Sequence, residues 1–255
     1  MTTITTTNDL LTKNEYELPP TVKLQTTNNL IANGYTVLVY GETGTGKTFD
    51  IQYVKNPVVI SAEGGLLTLN NLDIPFFEVN TWLDFLGTLR YIFNEPSLAD
   101  KTICIDSLSV LSEYCYEHFS KLLGGNNTLQ AYQKLGEQFP KVIEALQKKG
   151  RNVYLIAQLD KDLDNENGSV IKYHPLLKGK VTSTKIPYIV DFMLVKKIMP
   201  NSEGVLTRCI YAGLDSKYEI KSRIGLKNKY YRDISEIFAE LSSLNKEEHH
   251  AAKWD

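Results

Sequence analysis

Four short stretches carry side chains whose types and spacing suit phosphate chemistry. The first is Gly41-Glu42-Thr43-Gly44-Thr45-Gly46-Lys47-Thr48, which fits the spacing of a phosphate-binding P-loop without a gap. Glycines at 41, 44 and 46 let the backbone adopt conformations that a Cβ would resist, so successive N–H groups can face one anion. Lys47 offers a point charge to the β- and γ-phosphates of a nucleoside triphosphate such as ATP, and the Thr48 hydroxyl suits Mg²⁺. The second is Asp106, which ends the run Thr102–Ile105. An acid at the C-terminal end of a parallel strand stands beside the phosphates and holds Mg²⁺, mostly through water.

The residue after Asp106 is Ser107, not Glu. If the triphosphate is hydrolysed, the carboxylate that orients the attacking water must come from elsewhere. Glu63 is the candidate base: it follows the second apolar run, Val58–Ser61, at the same sheet edge, with Gly64-Gly65 opening space around it. Gln158 ends the run 152–157. Its amide both donates and accepts, which suits a residue reporting the γ-phosphate to the polar segment that follows. Spacing alone leaves Glu63 equally readable as a solvated loop acid and Gln158 as a capping amide.

These residues need strands to carry them to one edge and helices to cover the strands. Apolar β-prone runs at Thr36–Tyr40, Val58–Ser61, Phe76–Val79, Thr102–Ile105 and 152–157 alternate with helical patterns. The helices are expected near 46–54 (starting at the P-loop, with its dipole toward the anion), 65–70, 81–93, from Ser107 to about Leu123, and 129–149. Ser107 and Ser109 are possible caps, and Pro140 a break or kink. Residues 160–170 read as a polar loop. Runs 190–198 and 205–212, joined by Pro200–Gly204, suggest a hairpin; a basic loop 217–232 and a helix near 233–243 follow. The expected class is α/β, with a mostly parallel central sheet flanked by helices and an antiparallel C-terminal extension. Residues 1–26 read as a polar lead-in, 27–243 as the domain, and 244–255 as a polar tail whose His249 and His250 look solvent-exposed.

The chain of 255 residues is 42% hydrophobic and 23% charged, with a net charge of −2, an ordinary globular composition that does not announce a nucleic-acid partner by charge alone. Cys104, Cys115 and Cys209 lack metal-ligand spacing and read as buried thiols, which fits a reducing cytoplasm. No apolar stretch is long enough to span a membrane, and the first residues do not form a signal peptide. The charge is unevenly spread. Residues 171–232 hold ten Lys and three Arg against four acids, an excess of nine positive charges, so the remainder carries eleven negative ones. A basic last third suits phosphate-backbone contact. In the segment 160–185, Lys178 and Lys180 are the preferred contacts and Tyr173 a stacking face.

Together, GETGTGKT, ISAEGG, ICIDSLSVL and LIAQ resemble the RecA family of recombinase ATPases. The resemblance implies a RecA-like P-loop NTPase fold over residues 35–240, ATP and Mg²⁺ as ligands, Glu63 as base, Asp106 on Mg²⁺ and Gln158 as sensor. It narrows to phage single-strand-annealing ATPases of the Sak type, whose later elements match Gly179-Lys180, Ile186-Pro187, Val190-Asp191 and Lys221-Ser222-Arg223. That implies single-stranded DNA as partner, possible pairing with a single-stranded-DNA-binding protein, and a homo-oligomeric ring or filament with ATP between subunits. Lys221 and Arg223 would then reach the neighbour's γ-phosphate as an arginine finger does, although a solvated basic loop fits the same residues. A nucleotide or small-molecule kinase and an ATP-gated scaffold such as a helicase loader remain the alternatives. The kinase usually needs an arginine-rich lid, and the five arginines (90, 151, 208, 223 and 232) form no such cluster.

Overall fold

The run Val37–Tyr40 lies in strand β1 (Thr36–Gly41), all of it buried. An uninterrupted apolar run has two faces to cover, and β1 accordingly sits in the middle of a sheet. The computed structural model describes residues 34–125, 127–166 and 168–244. The lead-in expected over 1–26 and the tail with His249 and His250 lie outside them.

Parallel partners flank β1: β5 (Val153–Leu163) on one side and β7 (Phe192–Pro200) on the other. Beyond β5 come β4 (Thr102–Asp106), β2 (Pro57–Ser61) and β3 (Phe76–Glu78), all parallel. Beyond β7 come the antiparallel β8 (Leu206–Tyr211) and β10 (Tyr230–Tyr231). Strand β6 (Val170–Pro175) folds back on β5, and β9 (Lys221–Ser222) on β7. The order β10-β8-β7-β1-β5-β4-β2-β3 is the mostly parallel sheet with an antiparallel extension expected from the alternation of elements. Its register decides where the chemistry goes. Gly41 pairs with Gln158, Ser61 with Asp106, and Asp106 with Ile156, so the ends of four strands meet at one edge.

Successive β1 residues face opposite sides. Leu38 and Tyr40 join the core under α1 (Trp82–Asn94), α2 (Leu108–Leu122), α3 (Thr128–Lys148) and α4 (Lys180–Ile189). Val37 and Val39 pack with Ile51, Val54 and α5 (Ile234–Leu244) on the other face.

Two local expectations, the helix over 46–54 and a break at Pro140, are corrected; a third holds in part, and one helix went unpredicted. The segment after the P-loop is a 3-10 turn, Phe49–Tyr53, not a helix over 46–54. Asn56 at φ 52 and then Pro57 end it and start β2, so little dipole builds up there. The polar loop expected over 160–170 is shorter: β5 runs to Leu163, and only 164–169 connect it to β6. Polar side chains here mark a strand pair projecting past the sheet, where both faces meet solvent. Helix α4 carried no clear signal, because Gly179 and Pro187 punctuate it. Gly179 has φ +81, and an added Cβ would meet Leu135 and Tyr132 at 3.2 Å, so the residue before α4 must be glycine. Finally, α3 runs through Pro140. Proline removes the donor that Gly136 C=O would use; Lys185 Nζ of α4 donates to that carbonyl instead, at 3.1 Å.

One buried ion pair ties the P-loop side of the sheet to its neighbour. Lys196 of β7 and Asp50 of the 3-10 turn are both 2% exposed, with Nζ and Oδ2 2.5 Å apart. Lys196→Met leaves the Asp50 carboxylate uncompensated in the interior and lowers unfolding free energy by about 3–5 kcal/mol, whereas Lys196→Met with Asp50→Asn recovers most of the loss. Equilibrium urea unfolding of the three proteins checks both outcomes.

Candidate nucleotide site

The loop Gly41–Thr48 leaves β1 at the C-terminal sheet edge. An added Cβ at Gly41 would lie 2.5 Å from the Lys196 carbonyl oxygen, so only glycine lets the loop start this close to β7. Gly44 and Gly46 have φ of 82° and 90°, the left-handed region that side chains resist. Thr45 is buried, and its hydroxyl donates to the Glu42 carbonyl at 2.8 Å, pinning the turn. Glu42, Thr43 and Gly44 form the exposed rim. Among the described residues, the N–H groups of Gly44, Gly46, Lys47 and Thr48 take no protein partner. Successive free donors along such a loop form an anion-binding concavity. The Lys47 ammonium folds back onto the carbonyls of Gly41 and Glu42, at 2.7 and 2.8 Å. Burial lowers its pKa, while Asp106, Glu63 and Glu42 oppose the shift.

Thr48 Oγ1 donates to Asp106 Oδ2 at 2.6 Å, which brings together the two groups expected at Mg²⁺. Asp106 is 1% exposed. Burial pushes its carboxyl up to about 6; the Thr48 hydrogen bond and Lys47 pull it down, and Glu63 pushes it further up. A buried carboxylate beside a hydroxyl is a hard-oxygen pair short of a cation, and fits Mg²⁺. Among the described residues no cluster of three or more His, Cys, Asp or Glu could hold a metal.

Glu63, Ser107 and Gln158 meet beside this pair. Ser107 Oγ donates to Glu63 Oε1, and Gln158 Nε2 donates to the same oxygen at 2.8 Å. Both bonds fall on Oε1, which leaves Oε2 to a water. The expected caps are used differently. Ser107 holds the N-cap position of α2 but makes no side-chain cap, because its hydroxyl goes to Glu63. Ser109 Oγ accepts from the Gln158 N–H at 2.9 Å. The serine after Asp106 therefore does more than exclude an adjacent glutamate: it aims the glutamate from the next strand.

The later basic residues sit apart from the chain's own loop. Lys221 pairs in β9 with Met193, which pairs with Leu38, so it lies well before Gly41 along β1. Its Nζ donates to the carbonyls of Pro187, Tyr188 and Val190 at 2.7, 3.1 and 2.7 Å. Arg223 donates to Tyr188 and Ile189 carbonyls and lies 3.4 Å from Asp191. Both side chains thus cap the C-terminus of α4, where free carbonyls attract cations. Asp191 in turn accepts from the Thr36 N–H and from Gln147 Nε2. Lys178 is committed to Glu113 at 2.9 Å and to the face of Tyr116, which weakens it as a free DNA contact; Lys180 is exposed.

Three features escaped the motif search: the Asp50–Lys196 pair, the Tyr40 hydroxyl, and Arg208. Arg208 lies against Gly46, yet β8 is far from the P-loop in sequence and no spacing rule links them.

A family model described as an AAA domain, AAA_24, matches residues 33–224. No curated protein matches the chain. Among solved structures, a KaiC-like protein of the hyperthermophilic archaeon Pyrococcus horikoshii is similar at 19% identity and a TM-score of 0.38, over 70% of this chain and 77% of that one.

The raised Asp106 pKa has a stability consequence. The folded-state value lies above the unfolded one, so the group's favourable contribution is complete at low pH and is lost as pH climbs through about 6. Asp106→Asn removes that loss. It raises the stability of the nucleotide-free protein at pH 7 by on the order of 1–3 kcal/mol, with little gain at pH 4. Thermal melts at the two pH values check it.

Proposed function

The chain belongs to the AAA_24 family of AAA domains, and from that premise we propose that it is an ATP hydrolase, of RecA-like fold, whose turnover is coupled to single-stranded DNA. The observation that carries this reading is the Gln158–Glu63 hydrogen bond, since it joins the candidate base to the root of the β5–β6 hairpin.

The free amides of Gly44, Gly46, Lys47 and Thr48 and the Lys47 ammonium bind the triphosphate. Thr48 and Asp106 would hold Mg²⁺, which would supply charge neutralisation at the phosphate oxygens. Glu63, oriented by Ser107, positions a water toward the γ-phosphate and takes up its proton through Oε2. Gln158 donates to the other oxygen of that carboxylate, so any rearrangement of Glu63 during turnover changes the anchoring of β5. The hairpin has a second tie. The Tyr40 hydroxyl in β1 lies 2.9 Å from the Glu219 carbonyl and 3.2 Å from that of Tyr173. Strand β1 therefore touches both the loop that binds phosphate and the hairpin that projects from the sheet.

Between the hairpin, α4 and β9 runs a groove of about 660 Å³ lined by Lys172, His174, Lys180, Ser183, Tyr188 and Lys221, with Asp162 and Glu219 as its acids. Lysines suit a phosphate backbone, and Tyr188, 75% exposed, offers a ring face to a base. An annealing or recombination role, a homo-oligomer with ATP between subunits, and action of Lys221 and Arg223 on a neighbour's phosphate extend the same proposal. The last would require those side chains to leave the α4 carbonyls. Among the described residues no helix is long and apolar enough to cross a membrane.

ATP turnover measured with and without single-stranded DNA tests the reading. Wild type is accelerated by DNA, and Lys47→Ala loses ATP binding. Glu63→Gln keeps ATP binding and loses about 100-fold or more in kcat. Gln158→Ala loses the response to DNA. Turnover and DNA binding that are indifferent to each other would overturn the coupling, and full activity of Glu63→Gln would overturn the base.

A further inference from the structure

Arg208 is a cation beside the P-loop that no step above uses. It pairs with Ile198 across the β7–β8 hairpin. Two residues on, Ile210 is buried with Ile51 and Val54 in the core under the 3-10 turn. Strand alternation puts Arg208 on that same face, one step further out, above the sheet edge where Phe49–Tyr53 packs. An ideal Cβ at Gly46 would lie 2.9 Å from Arg208 Cδ, 3.3 Å from Nε and 3.7 Å from Cζ. The arginine stem therefore lies against the Gly46 α-carbon with the guanidinium alongside. Its Cζ is 6.0 Å from the centre of the Phe49 ring, a contact that steadies the planar group without using its donors.

The side chain is exposed, and no carboxylate pairs with it among the described residues. The nearest buried acid, Asp50, is already bonded to Lys196. A guanidinium with unused donors is thus held next to the Gly46, Lys47 and Thr48 amides, which likewise take no protein partner. Two sets of unpaired donors therefore lie beside the same loop, and a planar fork of N–H groups matches phosphate oxygens.

We propose that Arg208 binds the nucleotide's phosphates in cis, on the Gly46 side of the loop, opposite Lys47. Its position by Gly46 selects the α- and β-phosphates, which the P-loop amides cradle; the γ-phosphate belongs to Lys47 and Glu63. Arg208 accordingly contributes to holding nucleotide before and after hydrolysis and leaves the chemical step alone. Gly46 must lack a side chain for two reasons: its φ, and the arginine lying across it.

This inference rests on the nucleotide-binding reading, and its test separates the two. Dissociation constants for ATP and ADP and the ATPase kcat are measured for wild type, Lys47→Ala, Arg208→Ala and Arg208→Lys, with melting of each nucleotide-free protein confirming the fold. Arg208→Ala weakens ATP and ADP alike by about tenfold. Arg208→Lys, which keeps the charge but not the fork, recovers only part of the affinity. Unchanged affinity for both nucleotides in Arg208→Ala would overturn the assignment, as would a loss confined to ATP with a fall in kcat, which would place the guanidinium at the γ-phosphate. Equal ATP binding by wild type and Lys47→Ala would instead defeat the nucleotide site itself.

Discussion

A loop that binds phosphate must keep its own amides unpaired, and that requirement shapes the protein around Gly41–Thr48. Backbone N–H groups normally find partners. Here those of Gly44, Gly46, Lys47 and Thr48 do not, so these four amides do nothing to hold the loop. Its support comes from below and from the sides. Strand β1 is buried along its whole length between two parallel neighbours. Thr45 and Lys47 side chains bond the loop's carbonyls, leaving its N–H groups outward. The Asp50–Lys196 pair clamps the turn that follows to β7.

The same constraint explains why the chemistry is distributed over several strands. Each acidic or amide group comes from a different strand end: Asp106 from β4, Glu63 from beyond β2, Gln158 within β5. Parallel pairing brings these groups to one edge: Asp106 lies in register with Ser61 and Ile156, each two residues before Glu63 and Gln158. Ser107 then links two of them through its bond to Glu63. The short 3-10 turn after the loop supplies little macrodipole, so electrostatic attraction for an anion falls to Lys47, the free amides and Arg208. In an AAA-domain ATPase built this way, loss of any one strand's register would separate groups that no local sequence holds together.

Some of this was legible in the chain. The P-loop spacing, the apolar run ending in Asp106, and the Glu-Gly-Gly after the second strand predicted which residues meet, and the structure brings Thr48 to Asp106 and Glu63 to Gln158. Local signals failed where a tertiary partner overrode them. Pro140 was read as a break or kink because a missing N–H is costly inside a helix; Lys185, from another helix, serves the orphaned carbonyl and the helix runs on. Residues 160–170 looked like loop throughout because polar residues on both faces usually mean loop, yet 160–163 carry β5 out into solvent before the turn begins. Helix α4 hid behind Gly179 and Pro187. Lys221 and Arg223 share a face as alternation required, but in this chain that face meets the C-terminal carbonyls of α4.

The amino-acid sequence by itself determined the alternation of strands and helices, the P-loop spacing, the acid that ends the fourth strand, and the absence of a glutamate after Asp106. These depend on spacings within one segment, and local conformation follows from local residue types. Tertiary structure alone decided that Ser107 aims Glu63, that Asp50 and Lys196 neutralise each other out of water, and that Arg208 lies across Gly46. Each of these joins segments far apart in the chain. Their geometry is set by strand order and register, which arise from burying two apolar faces at once and leave no mark at any single position.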